Sequence, residues 1–120
     1  MGFKFRRVVT GHDDQGRAVI ASDEVLADAA PLRAGAMARV IWTTEGFPVT
    51  HEEADGSLRP VSTAHPNGTV FRIIEYAPGV APRMHRTDSI DYGVVLSGQI
   101  AMGMDVGSVT LKAGDVLVQR

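Results

Sequence analysis

Cysteine is absent from this 120-residue chain. That removes disulfide frameworks and thiolate metal sites together, and it leaves the redox compartment unread. Long apolar runs are missing too. None approaches the roughly 18 residues a membrane helix needs, and Met1-Gly2-Phe3-Lys4-Phe5-Arg6-Arg7 has no signal-type apolar core. A cytoplasmic protein without a membrane partner is expected. Positive charge never runs beyond the pair Arg6-Arg7, and the net charge of -2 with a pI near 6.0 leaves no basic footprint. Nucleic acid is not an expected partner. No helix-turn-helix pattern and no long helical period occur.

Hydrophobic residues at 44% and charged residues at 22% are ordinary for a globular protein. At this length the expectation is one domain, residues 1–120, with N-terminal strands over 1–48, a loop over 49–68 and a motif region over 69–120. Strand signals dominate. Phe3, Phe5 and Val9 alternate with polar residues, Gly11 to Gly16 reads as a turn, and Arg17 to Ile20 resumes an extended pattern, predicting a hairpin. Ser22-Asp23-Glu24 ahead of Val25 to Ala30, with Pro31 as a stop, allows a short capped helix or an irregular loop. Ala38 to Thr44 reads as a strand ended by Glu45-Gly46-Phe47-Pro48. His51 to Gly68 is rich in Gly, Pro and acidic residues and reads as a long loop, a solvated excursion or a lid. Strands are expected again at Val70 to Tyr76, at Asp91 to Ser97 (apolar enough to be buried on both faces), at Gln99 to Met104, at Val109 to Lys112 and at Asp115 to Gln119. Short strands punctuated by Gly at this frequency indicate an all-β barrel or sandwich.

Chemistry concentrates between Pro78 and Gly98. In an extended chain residues two apart share a face, so Arg83, His85 and Thr87 project together, and Asp91 shares their parity after the turn-favouring Asp88-Ser89. An imidazole, a hydroxyl and a carboxylate can then converge on one interior point. His85 and Asp91 are the candidate metal ligands, because imidazole and carboxylate suit first-row divalent metals. Arg83 and Thr87 are the candidate substrate-binding residues, Arg83 through its charge on an anionic group. His85 is also the candidate acid or base.

Gly79, five residues, His85, then Asp91, six residues and Gly98 resemble the first motif of the cupin superfamily, in which a Gly, His-x-His, Glu and Gly stand at these spacings. Thr87 stands where that motif has its second His, and Asp91 replaces the Glu. Gly114-Asp115-Val116 looks like the opening of the second cupin motif, with Arg120 in the place of its Pro. The resemblance is clearest from Thr69 to Arg120. It implies an all-β, cupin-type double-stranded β-helix barrel, jelly-roll-like and C-terminally incomplete, behind an N-terminal β-hairpin.

By that resemblance the chain is expected to be a small-molecule-binding protein. A divalent transition metal (Ni, Fe, Mn or Zn) is its candidate cofactor, bound weakly or not at all because only His85 matches the family's ligand set literally. The alternatives are a metal-dependent dioxygenase, decarboxylase or isomerase acting on a small oxygenated organic acid or ketone, and a truncated β-domain without activity of its own. The terminal strand from Asp115 to Gln119 carries an edge without a neighbour, so a homodimer is expected.

Overall fold

A computed structural model describes residues 3–52 and 54–120. They form two compact units, Met1–Val80 and Ala81–Arg120. The secondary structure is strand with one short 3-10 helix, so the all-β expectation holds.

In the first unit, β1 (Phe5–His12) and β2 (Ala18–Leu26) form the expected hairpin. Its turn is fixed by one side chain. Asp13 Oδ1 accepts from the backbone N–H of Gln15 at 2.9 Å and of Arg17 at 3.0 Å, and Gly16 supplies the positive φ of 73° that closes the reversal. The helix that Ser22 to Ala30 allowed does not form. Val25 and Leu26 instead pair with Arg6 and Phe5 at the far end of the hairpin. A ladder partner gives their backbone groups more than a local cap would, and β-branched Val25 fits the pleat.

The second sheet of this unit has the order β3 (Ala30–Arg33), β4 (Ala36–Glu45), β5 (Gly68–Tyr76), all antiparallel. In the β4–β5 ladder Val40 opposes Arg72 and Trp42 opposes Phe71, which leaves Ile41 as the extra residue of a bulge. Its carbonyl therefore needs a partner outside the ladder. Arg7 supplies it, donating from Nη1 to Ile41 O at 3.0 Å.

That bond belongs to a polar cluster at the centre of the unit. Arg7 is 8% exposed and Thr43 is fully buried, alongside the apolar Leu26, Ala36 and Ile41. Arg7 also donates to Asp55 and Glu24, and its guanidinium lies 5.7 Å from the Trp42 ring centre. Asp55 caps the 3-10 helix Gly56–Leu58, accepting from Ser57 N at 2.9 Å and Ser57 Oγ at 2.6 Å. Thr43 donates to Gly56 O and accepts from Arg59 Nε at 3.2 Å, while Arg59 Nη1 reaches Glu45 Oε2 at 3.0 Å. The 51–68 segment is thus a loop, as expected, but one pinned to β1 and β4 by charge.

The second unit holds β6 (Asp91–Val94) paired with β9 (Val116–Gln119), and β7 (Gln99–Gly103) paired with β8 (Ser108–Lys112). Backbone bonds stitch the two ladders together: Val95 N to Asp115 O at 3.0 Å, Gly114 N to Val95 O at 2.8 Å and Ala113 N to Gly98 O at 3.2 Å. Gly98, Gly107 and Gly114 carry the positive φ at the turns. The strand expected over Asp91 to Ser97 stops at Val94, and it is not buried on both faces: Tyr92 is 83% exposed and Val94 61%. Continuous apolar sequence signals cover on both faces, yet in the β6–β9 pair Gly93 and Leu117 are half-buried while Tyr92, Val94, Val116 and Val118 are exposed.

Candidate functional site

The sequence places its chemistry between Arg83 and Asp91, and the structure gives this stretch no strand. Residues 81–88 have no regular secondary structure, so the in-strand alternation assumed for Arg83, His85 and Thr87 is replaced by local hydrogen bonds. Pro78 and Pro82 explain part of this, since each lacks the N–H a ladder needs. Arg83, His85, Thr87 and Asp91 are all exposed.

Two separate hydrogen-bonded groups result. His85 Nδ1 lies 2.9 Å from the backbone carbonyl of Arg83. A carbonyl only accepts, so Nδ1 carries a proton, and in the neutral ring the lone pair then falls on Nε2. Arg83 therefore acts on His85 through its main chain, orienting the ring.

The second group runs through a residue that the sequence reading treated as turn material. Ser89 Oγ donates to Asp91 Oδ1 at 2.8 Å and lies 3.0 Å from Thr87 Oγ1. With the Ser89 proton given to Asp91, Thr87 must be the donor to Ser89. The order is Thr87 to Ser89 to Asp91, a hydroxyl relay ending on a carboxylate. The signal in the sequence is the spacing of hydroxyl and carboxylate side chains two residues apart around the Asp88-Ser89 turn, where such groups bond locally. Thr87 reaches Asp91 only through Ser89, and His85 stands outside their relay, bonded to Arg83 O.

This donor set does not fit a metal centre. His85 offers one nitrogen, Asp91 has one oxygen already engaged by Ser89, and among the described residues no three His, Cys, Asp or Glu side chains group to hold an ion. A protein-held metal ordinarily needs three ligands or more. What the segment can do unaided is accept or donate a proton at His85 Nε2 and offer hydroxyl and carboxylate oxygens to a polar substituent.

Comparison with known proteins places this site in context. The chain is 35% identical over 123 residues to the cupin-domain-containing oxidoreductase fogC of Aspergillus ruber, covering 95% of this chain and 59% of the relative. It is 34% identical over 122 residues to the cupin-domain-containing oxidoreductase virC of Hypocrea virens, covering 95% and 62%. The chain carries a cupin domain. It spans about three-fifths of the length of these two relatives. A shorter match, 57% identical over 56 residues, links 46% of this cupin chain to 30% of phomopsin biosynthesis cluster protein D of Diaporthe leptostromiformis. No family model matches the chain. No helix among the described residues is long and apolar enough to cross a membrane.

Proposed function

We propose that this cupin domain binds a small organic molecule and contributes to its oxidation or reduction, with His85 as the proton-transferring group and the Thr87–Ser89–Asp91 relay holding a polar substituent. The observation that carries the reading is likeness over 95% of the chain to two relatives named cupin-domain-containing oxidoreductases. The lone pair that the Nδ1 bond to Arg83 O leaves on His85 Nε2 supports it. Arg83, two residues away in sequence and exposed, adds a cation for an anionic group.

A second reading, binding without redox chemistry, is favoured by the donor geometry, which assembles no protein-held metal centre from the described residues. One experiment separates the two. The protein is incubated with a panel of small organic acids, aldehydes and ketones, with dioxygen and reduced or oxidised nicotinamide supplied in turn, and products are followed by mass spectrometry. Loss or gain of a hydrogen pair, or gain of an oxygen atom, supports the oxidoreductase. Retention of a compound without conversion supports the binder, and neither outcome sinks both.

We propose in addition that the protein pairs with a second copy through β9. Among the described residues that strand pairs only with β6, and its Val116 and Val118 are 72% and 62% exposed. A single monomer mass in sedimentation across a wide concentration range would count against it.

A further inference from the structure

A groove of about 310 Å³ opens on the first unit, walled by Ala29, Ala30, Ala38, Val40 and Leu58. Two charged side chains also line it, Arg39 and Asp28. Arg39 Nε is buried without a hydrogen-bond partner, although buried guanidinium nitrogens are ordinarily satisfied. Neither Arg39 nor Asp28 makes an ion pair or side-chain hydrogen bond with a described residue. Ser57, also in the lining, has its hydroxyl proton committed to Asp55.

A cation and an anion that share one groove without pairing leave two opposite charges to be matched from outside. The volume sits at the small end of ligand pockets, and the walls are short aliphatic groups. We infer that this groove binds an amino-acid-like zwitterion with an aliphatic side chain, Arg39 taking the carboxylate, Asp28 the ammonium and the alanine-rich wall the side chain. The planar guanidinium accommodates a carboxylate through two parallel N–H donors of its terminal Nη groups, the buried Nε being closed to a ligand. An anion alone would meet Asp28 unfavourably, and an amine alone would meet Arg39 unfavourably. The groove belongs to the first unit, and its occupancy does not depend on any redox activity.

The test is a methyl-resolved NMR titration of the intact chain with L-leucine, N-acetyl-L-leucine and L-leucine amide. L-leucine is expected to produce saturable shifts at the methyls of Ala29, Ala30, Ala38 and Val40. The N-acetyl compound, which lacks the ammonium, and the amide, which lacks the carboxylate, should each bind about tenfold more weakly or worse. Arg39→Gln should lose the L-leucine response by a similar factor, with Arg39→Lys intermediate, since it keeps charge and loses the fork. Retained dispersion of the amide spectrum shows that each variant is folded. Absence of saturable shifts with L-leucine, equal binding of either derivative, or an unchanged response in folded Arg39→Gln would each overturn the assignment.

Discussion

The guanidinium of Arg7 holds the carboxylate of Asp55 with a two-point grip, Nη1 to Oδ1 at 3.0 Å and Nη2 to Oδ2 at 3.2 Å, across 48 residues of sequence. One end of that bond is on the first strand and the other caps the 3-10 helix in the long loop. Nη1 also donates to the bulge carbonyl of Ile41 and Nη2 to Glu24, while the buried Nε has no hydrogen-bond partner among the described residues. A single buried cation therefore ties the hairpin, the bulged strand and the loop together.

The grip makes the first unit sensitive to acid. Hydrogen bonds from Arg7, with help from Ser57, hold the Asp55 carboxyl well below its ordinary range. A carboxyl depressed in the folded state contributes stability that is complete above its unfolded value, about 3.9, and lost as pH falls through the folded value. Asp13 and Asp23 are depressed in the same direction by Arg17 and Arg6, but both are solvent-screened and add little. Asp55→Asn should cost about 2 kcal/mol near neutral pH, between the ranges for exposed and fully buried pairs. Urea midpoints measured at neutral pH and below pH 4 check this: the gap between variant and parent should narrow in acid, and a gap of constant size contradicts the account.

Two glycines hold the loop close to β4. A Cβ on Gly68 would lie 1.8 Å from Thr44 O, and one on Gly56 would lie 2.5 Å from the Trp42 ring. At Gly56 the nearest backbone atom, Thr43 O, is 2.8 Å away, against 1.8 Å for Thr44 O at Gly68, so Gly68→Ala should be the more damaging. Losses of about 1 to 3 kcal/mol or more are expected from overpacking of this kind. Gly103→Ala is the control, since nothing lies within 4 Å of its Cβ position. Equal thermal midpoints for Gly68→Ala and Gly103→Ala would show that the close approach is absent in solution.

Metal content follows from the donors at the cupin motif. With one imidazole and one partly engaged carboxylate, Ni, Fe, Mn or Zn should be held at less than one ion per chain and be removed by a chelator. Thr87→His restores a second imidazole and should raise affinity if residues 85, 87 and 91 can converge. One tightly held ion per chain by elemental analysis would mean that a ligand outside this segment completes the site.

The strands were legible because their signals are local. Alternation from Phe5 onward, the Asp13 to Gly16 reversal and the glycines at 98, 107 and 114 each act within a few residues. The Arg7–Asp55 grip was not legible, because nothing near either residue marks the other; only the β4 bulge, which appears with the register, shows why a donor is needed there. The helix allowed at Ser22 to Ala30 failed for a related reason: capping residues are a local preference, and pairing of Val25 and Leu26 with β1 outweighed it. At the motif, the strand alternation expected for residues 83, 85 and 87 is absent, and Thr87 meets Asp91 only through Ser89, whose turn propensity hid its part in the chain of hydrogen bonds.

The most direct measurement of the account is the effect of His85→Ala on turnover of whichever panel compound the protein oxidises or reduces, set beside Thr87→Ala as a variant of the substrate-holding relay. Loss of a positioned acid or base costs about 100-fold or more in rate, so His85→Ala should drop kcat by at least that factor. Thr87→Ala should act mainly on KM, as loss of a binding contact does. A His85→Ala protein that stays folded and turns the compound over at the parental rate would contradict the assignment and move the chemistry away from this segment.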